Sequence, residues 1–177
     1  MAIHRLNHAV LYVRDAEKSA DFYSQVLGFR KLPFELPGAV FMQAEASTND
    51  HDLGLFSIGE NAANSPAGRT AVGLYHLAWE VDTLSDLAEI GRRLSEAGAL
   101  VGATDHGTTK ALYGRDPDGI DFEVSWLVPA DQITDHTPAA RRLDLAAEIE
   151  KYGADTPGGV GVSRAAPVTP QELTAPD

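Results

Sequence analysis

Two stretches of the chain share one pattern. LNHAVLYVRD (residues 6–15) and LYHLAWEVDT (74–83) each set a histidine ahead of apolar residues at every second position, the pattern of a half-buried strand. Each gives way to a helical period. DAEKSADFYSQVLG follows the first with Asp15 as its N-cap, and TLSDLAEIGRRLSEAG follows the second with Thr83 and Asp86 spaced as a capping box. Both helices run out on glycine, Gly28 and Gly98. Three short strands are predicted after each helix, at 29–34, 39–45 and 51–58 and again at 100–105, 109–115 and 120–127, with LPGA and DPDG as turns. The order β-α-β-β-β thus occurs twice, about 70 residues apart. It predicts an α+β fold of two tandem modules, 1–60 and 71–127, joined by a polar small-residue linker at 61–70.

Beyond Trp126 the pattern changes. Residues 128–152 read as a linker and one further helix, TPAARRLDLAAEIEKYG, with Leu143, Ala146 and Ile149 at helical spacing. From Gly153 to 177 the chain is rich in Gly, Pro, Ala and Thr, and a tail that is mobile or draped on the surface is expected.

Glu123 stands out against this background, because it sits in what reads as a buried strand. An unpaired buried carboxylate costs several kcal/mol. Its partners are sought among the histidines, and His8 and His76 occupy matching positions at the starts of the repeated strands. Two imidazoles and a carboxylate form a donor set suited to Fe(II) with open coordination positions, and a cation would compensate Glu123. The turn adds a geometric expectation. If PDG is a three-residue loop closed by Asp116 and Ile120, Tyr113 lies directly across from Glu123, about 5 Å away on the same face. His51 stands at the mouth of the first module's last strand, and His106 lies in DHGTTKALY; for each, a solvated rim histidine competes with a functional one. His4 and His136 lack such context and read as surface residues. In the first module Gly54, or a neighbour, occupies the place that Glu123 holds in the second.

Composition narrows the chemistry. The 177 residues are 44% hydrophobic and 23% charged, ordinary for a globular chain, and no apolar run approaches the roughly 20 residues of a membrane span. The absence of cysteine excludes thiolate catalysis and Cys-ligated metal sites. A formal charge of −12 repels phosphate backbones, so neither nucleic acid nor membrane is an expected partner. The opening residues run straight into a strand pattern without signal-peptide anatomy, and a cytoplasmic location is expected.

NHAVLYV, YHLAWEV and YGRDPDGIDFEV, set in paired β-α-β-β-β modules, resemble the vicinal oxygen chelate superfamily, the glyoxalase, bleomycin resistance and dioxygenase fold, over about residues 4–127. The resemblance implies a cup-shaped mixed sheet around a divalent metal. Of the superfamily's chemistries, the site residues look most like those of the type I extradiol ring-cleavage dioxygenases. That likeness implies His8, His76 and Glu123 as metal ligands and His51, in HDLGLF, as acid–base catalyst. It further implies Tyr113 as a hydrogen-bonding residue for substrate and His106 as another pocket histidine. It also implies Fe(II), with Mn(II) or another divalent metal as alternatives, a catechol-type substrate with O2 in aromatic catabolism, and a homodimer or higher homo-oligomer. Other readings within the superfamily are a glyoxalase-like lyase or isomerase, a thiol transferase, or a non-enzymatic resistance protein that binds a small molecule. Glyoxalase-like members need a fourth protein ligand, which Gly54 does not offer. A single pair of modules is present, whereas many extradiol enzymes carry two.

Overall fold

The protein is described from a computed structural model, in which residues 3, 5–68 and 70–159 are placed. The first module runs β1 (Ala9–Val13), α1 (Ala16–Leu27), β2 (Arg30–Lys31), β3 (Ala39–Gln43) and β4 (Leu53–Ser57). The second runs β5 (His76–Glu80), α2 (Leu84–Glu96), β6 (Leu100–Asp105), β7 (Thr109–Arg115) and β8 (Asp121–Leu127). A short strand β9 (Arg141–Arg142) and a helix α3 (Leu145–Tyr152) complete the order. The strands form two sheets, β1-β4-β3-β2 and β5-β8-β7-β6-β9, so the repeat in sequence is a repeat of strand order. Among the described residues no helix is long and apolar enough to cross a membrane.

The expected caps form. Asp15 accepts from the backbone N–H groups of Glu17 and Lys18, Gly28 closes α1 at φ 75°, and Thr83 bonds Asp86 both ways at the start of α2. One expectation is corrected. The helix read over 137–153 begins only at Leu145, where Asp144 caps it by accepting from Ala147 N–H. Upstream, Arg141 and Arg142 pair with Asp105 and Thr104 and so satisfy the open edge of β6, an outlet for their backbone that a helix would forgo. Of the expected tail, residues 153–159 lie against the second module: Gly158 N–H donates to Asp82 O at 2.7 Å and Trp126 Nε1 to Thr156 O at 3.2 Å. The rest of that tail, and His4, lie outside the described residues.

The chain divides into two compact units. Among the described residues, the first takes in those up to Leu77 with Arg92–Val101 and Gly114–Phe122; the second takes Ala78–Gly91, Gly102–Tyr113 and residues 123–159. In the first unit, α1 packs on β3 and β4. Its buried Ala16, Ser19, Ala20, Tyr23 and Val26 recur at helical spacing and share a core with Leu11, Val13, Val40, Met42, Leu53 and Leu55. The DPDG turn is bonded to this helix. Asp116 accepts from the Tyr23 hydroxyl at 3.1 Å, and Asp118 accepts from Ser19 at 3.1 Å and from the Arg14 guanidinium at 2.8 Å. In the second unit the buried Leu84 and Leu87 belong to α2, and Leu112 of β7 lies against Gly91 so closely that a Cβ there would sit 3.1 Å from its side chain.

Burial pushes the Asp116 carboxyl above its ordinary value of 3.8, although three hydrogen bonds pull the other way. A raised folded value means that protonation favours folding. That contribution is complete below 3.8 and is lost as pH rises through the folded value. Asp116→Asn imitates the protonated form and can still bond the Asp118 and Ile120 amides and Tyr23. Its stability should therefore fall less than the parent's as pH rises from 3.8 towards neutrality, measured by thermal melts; a parallel dependence in both proteins would contradict this.

Candidate functional site

In the first unit, sheet alternation splits the side chains cleanly. Leu11, Val13, Leu53 and Leu55 face α1, while Val10 and Tyr12 face the other way and are 52% and 73% exposed. Phe41 and Phe56 share that second face, since Val10 pairs with Gly54, Tyr12 with Phe56, and Phe41 with Gly54. His8 precedes β1 in the same alternation. Its ring lies 4.3 Å from that of His51, centroid to centroid, and His51 in turn stands edge-on to Phe41 at 5.3 Å. Phe41 continues the chain of rings to Phe34 at 5.6 Å and Phe56 at 5.9 Å. The face carries Tyr12, Phe41 and Phe56 around Val10 and Gly54, with two imidazoles at one side.

The loop carrying His51 is held by a buried carboxylate. Asp52 accepts from Ala44 N–H at 2.9 Å, the Ser47 hydroxyl at 2.8 Å and the Asn49 amide at 2.6 Å. Asn49 also donates to Asn7 O at 2.8 Å, tying this loop to the residue before His8. These contacts explain why β3 stops at Gln43 and β4 starts at Leu53, inside the predicted 39–45 and 51–58. Sequence reading passed over Asn7, Asn49 and Asp52; the run of Asn and Asp around His51 was the available signal. Asp50 lies 3.3 Å from His51 Nδ1 and is held below its ordinary value chiefly by the His51 backbone N–H. His8 Nδ1 sits 2.7 Å from Asn7 Oδ1, an acceptor, so Nδ1 carries the proton and Nε2 keeps its lone pair. That is the tautomer and the supporting bond a metal-ligating histidine needs.

His76, at the start of β5, is half-buried with its ring 4.8 Å from that of Tyr75. Glu123 is half-buried rather than buried, between the buried Phe122 and Val124. It stands on the face of β8 away from those two. The hairpin register matches the expectation. Asp116 N–H bonds Ile120 O at 3.0 Å at one end and Val128 N–H bonds Thr108 O at 2.9 Å at the other, and Arg115 pairs across the strands with Asp121 at 2.7 Å. Tyr113 and Glu123 are the next facing pair on the Arg115 side. Tyr113 Oη lies 2.9 Å from His106 Nε2. Among the described residues no group of three or more His, Asp or Glu is gathered to hold a cation. The fit of His8, His76 and Glu123 to a divalent metal therefore rests on donor chemistry, on the His8 tautomer and on repeat position. A cleft of about 380 Å³ in the first unit, lined by Phe34, Leu36, Val40, Ser57 and the start of α1, includes none of the six expected site residues.

The repeat also locates what the first module lacks. Ala9 N–H donates to Asp52 O, and Val81 N–H to Ser125 O. Stepping along the parallel β1–β4 ladder, with Val81 equivalent to Val13, places Gly54 where Glu123 stands. A Cβ on Gly54 would make ordinary contacts with Phe41 and Val10 at 3.5 Å each, so these two side chains flank the position without blocking it.

Residues 5–124 match the family described as the Glyoxalase/Bleomycin resistance protein/Dioxygenase superfamily. Over 120 residues the chain is 35% identical to a catechol-2,3-dioxygenase of Bacillus subtilis, covering 67% of this chain but only 40% of that protein. It is 34% identical over 125 residues to a lactoylglutathione lyase of Neisseria meningitidis, covering 67% of this chain and 88% of the lyase. A solved glyoxylase/bleomycin resistance protein/dioxygenase domain from Frankia sp. superimposes with a TM-score of 0.57 at 24% identity, over 70% of this chain and 92% of that one, a likeness of fold.

Asp52→Ala strands three donors and should destabilise the protein by about 1–3 kcal/mol in urea unfolding, with Asp52→Asn costing less. An unchanged midpoint for Asp52→Ala would show that the His51 loop is held by other contacts.

Proposed function

Since the chain belongs to the glyoxalase/bleomycin resistance protein/dioxygenase superfamily, we propose that it is an Fe(II)-dependent extradiol dioxygenase that opens a catechol-type ring with O2. One observation carries the choice among the superfamily's reactions: Gly54, which has no donor side chain, stands at the position from which the first module would offer a fourth ligand. A three-ligand set of His8, His76 and Glu123 leaves open positions for a chelating diol and for oxygen. The aromatic face around Phe41, with His51 at its edge, supports a flat ring as substrate.

Bound by those ligands, Fe(II) would supply Lewis acidity at the vicinal oxygens and a path for electrons from substrate to O2. The chain's own residues have separate tasks. His51, with Asp50 beside Nδ1, takes a hydroxyl proton from the diol at Nε2 and later returns it. Its ring is kept in place by His8 and Phe41, and its loop by Asp52. Tyr113 presents its hydroxyl oxygen on the Glu123 side of the hairpin, steadied by His106, and orients the substrate oxygen. The similarity to lactoylglutathione lyases keeps an isomerase as the competing reading.

Anaerobic loading with Fe(II), then oxygen-electrode and absorbance assays over a panel of catechols, should give oxygen uptake and a yellow ring-opened product. Isomerisation of the hemithioacetal of glutathione and methylglyoxal, without oxygen uptake on any catechol, would establish the lyase instead. His51→Ala should keep iron and still bind catechol while turning over about 10²–10⁴-fold more slowly. Loss of iron in that variant would make His51 a ligand, and full activity would make it a bystander.

A further inference from the structure

The region that matches the family ends at residue 124, yet the histidine beside Tyr113 is held from beyond it. His106 Nδ1 lies 3.0 Å from the Ala139 carbonyl oxygen, and its Nε2 lies 2.9 Å from the Tyr113 hydroxyl. A carbonyl can only accept, so Nδ1 carries the ring proton. The Nε2 of the neutral ring must then accept from the Tyr113 O–H. The carbonyl selects the tautomer, and the tautomer fixes where the Tyr113 hydroxyl points.

The segment that carries Ala139 is anchored on both sides of His106. Lys110 is 2% exposed and ion-paired with Asp105 at 2.5 Å and with Glu148 of α3 at 3.1 Å. Burial alone would raise the Asp105 pKa, but Lys110 and the Gly107 N–H hold it below the ordinary value. Arg141 and Arg142 extend the sheet along β6, and Leu143 is buried with its N–H on Ala103 O. Gly107, at φ 84°, leaves room for the crossing segment: a Cβ there would lie 3.3 Å from Thr137 O.

The geometry points to residues 137–143 as a positioning strap, in which the Ala139 carbonyl, acting through His106, sets the hydrogen-bond polarity of Tyr113. The inference rests on the reading of Tyr113 as a substrate-facing residue given above. Ala139 and His106 are positioning residues, and neither has to touch substrate. With its own proton directed to His106, Tyr113 meets the substrate as an acceptor, so the strap favours a substrate oxygen that still carries a proton.

The test uses the full chain labelled with ¹⁵N-histidine. In the metal-free parent, long-range proton–nitrogen correlation should show His106 protonated at Nδ1 and bare at Nε2. Two glycines inserted between Pro138 and Ala139 displace the carbonyl and should shift His106 toward the Nε2–H form. In the Fe(II)-loaded enzyme the insertion should lower kcat/KM for catechol, by up to the roughly 10²-fold that a 1 Å misplacement costs. That loss should disappear in a Tyr113→Phe background, where there is no hydroxyl left to aim. A parent His106 protonated at Nε2 overturns the proposal without any variant having to fold. So does an insertion that leaves tautomer and kcat/KM unchanged, or one whose loss persists in Tyr113→Phe. A parent with the expected tautomer, lost on insertion, but with no turnover of any catechol would support the strap and overturn the ring-cleavage reading.

Discussion

A single buried carboxylate closes the turn on which the second half of the protein depends. Asp116 accepts from the Asp118 and Ile120 amides through one oxygen and from Tyr23 through the other. The amide bonds fix the three-residue loop, and the loop fixes the register of β7 against β8. A one-residue slip would carry Tyr113 and Glu123 to opposite faces of the sheet. The bond to Tyr23 adds a second constraint, because it ties the same turn to the helix of the first module. Burial opposes ionisation at this position, so the turn is held at some cost in stability above the acid range.

The two modules share a strand order and diverge in what they carry. His8 directly precedes β1 and His76 opens β5, but the ladder equivalence that brings Glu123 to one module brings Gly54 to the other. Phe41 and Val10 flank Gly54 on a sheet face that also carries Phe56, with Phe34 beside Phe41.

Much of this was legible because it is periodic or local. Alternation in LNHAVLYV and LYHLAWEV marked the repeated strands, Asp15 and Thr83 marked helix starts, and DPDG carried the register that sets Tyr113 opposite Glu123. Residues 137–144 were misread, since helical spacing of Leu143, Ala146 and Ile149 cannot reveal that the edge of β6 lacks a partner. The Ala139 carbonyl had no signal at all, because a backbone acceptor looks the same in every residue. Glu123 read as buried from its apolar neighbours, yet alternation within β8 leaves it on the half-open face. Asp52 was visible as one acid among several, and only its three donors distinguish it from Asp50 beside the same histidine.

The central claim is that Glu123 serves a divalent cation together with His8 and His76. Thermal melts of the parent and of Glu123→Gln, each with and without Fe(II) under anaerobic conditions, test it without relying on turnover. A cation that binds only the folded protein stabilises it by about 2.7 kcal/mol at a hundredfold excess over its Kd. The parent should therefore melt at a clearly higher temperature with Fe(II), and Glu123→Gln, lacking the anionic donor, should gain far less at the same concentration. Equal stabilisation of both proteins, or none of either, would contradict the account.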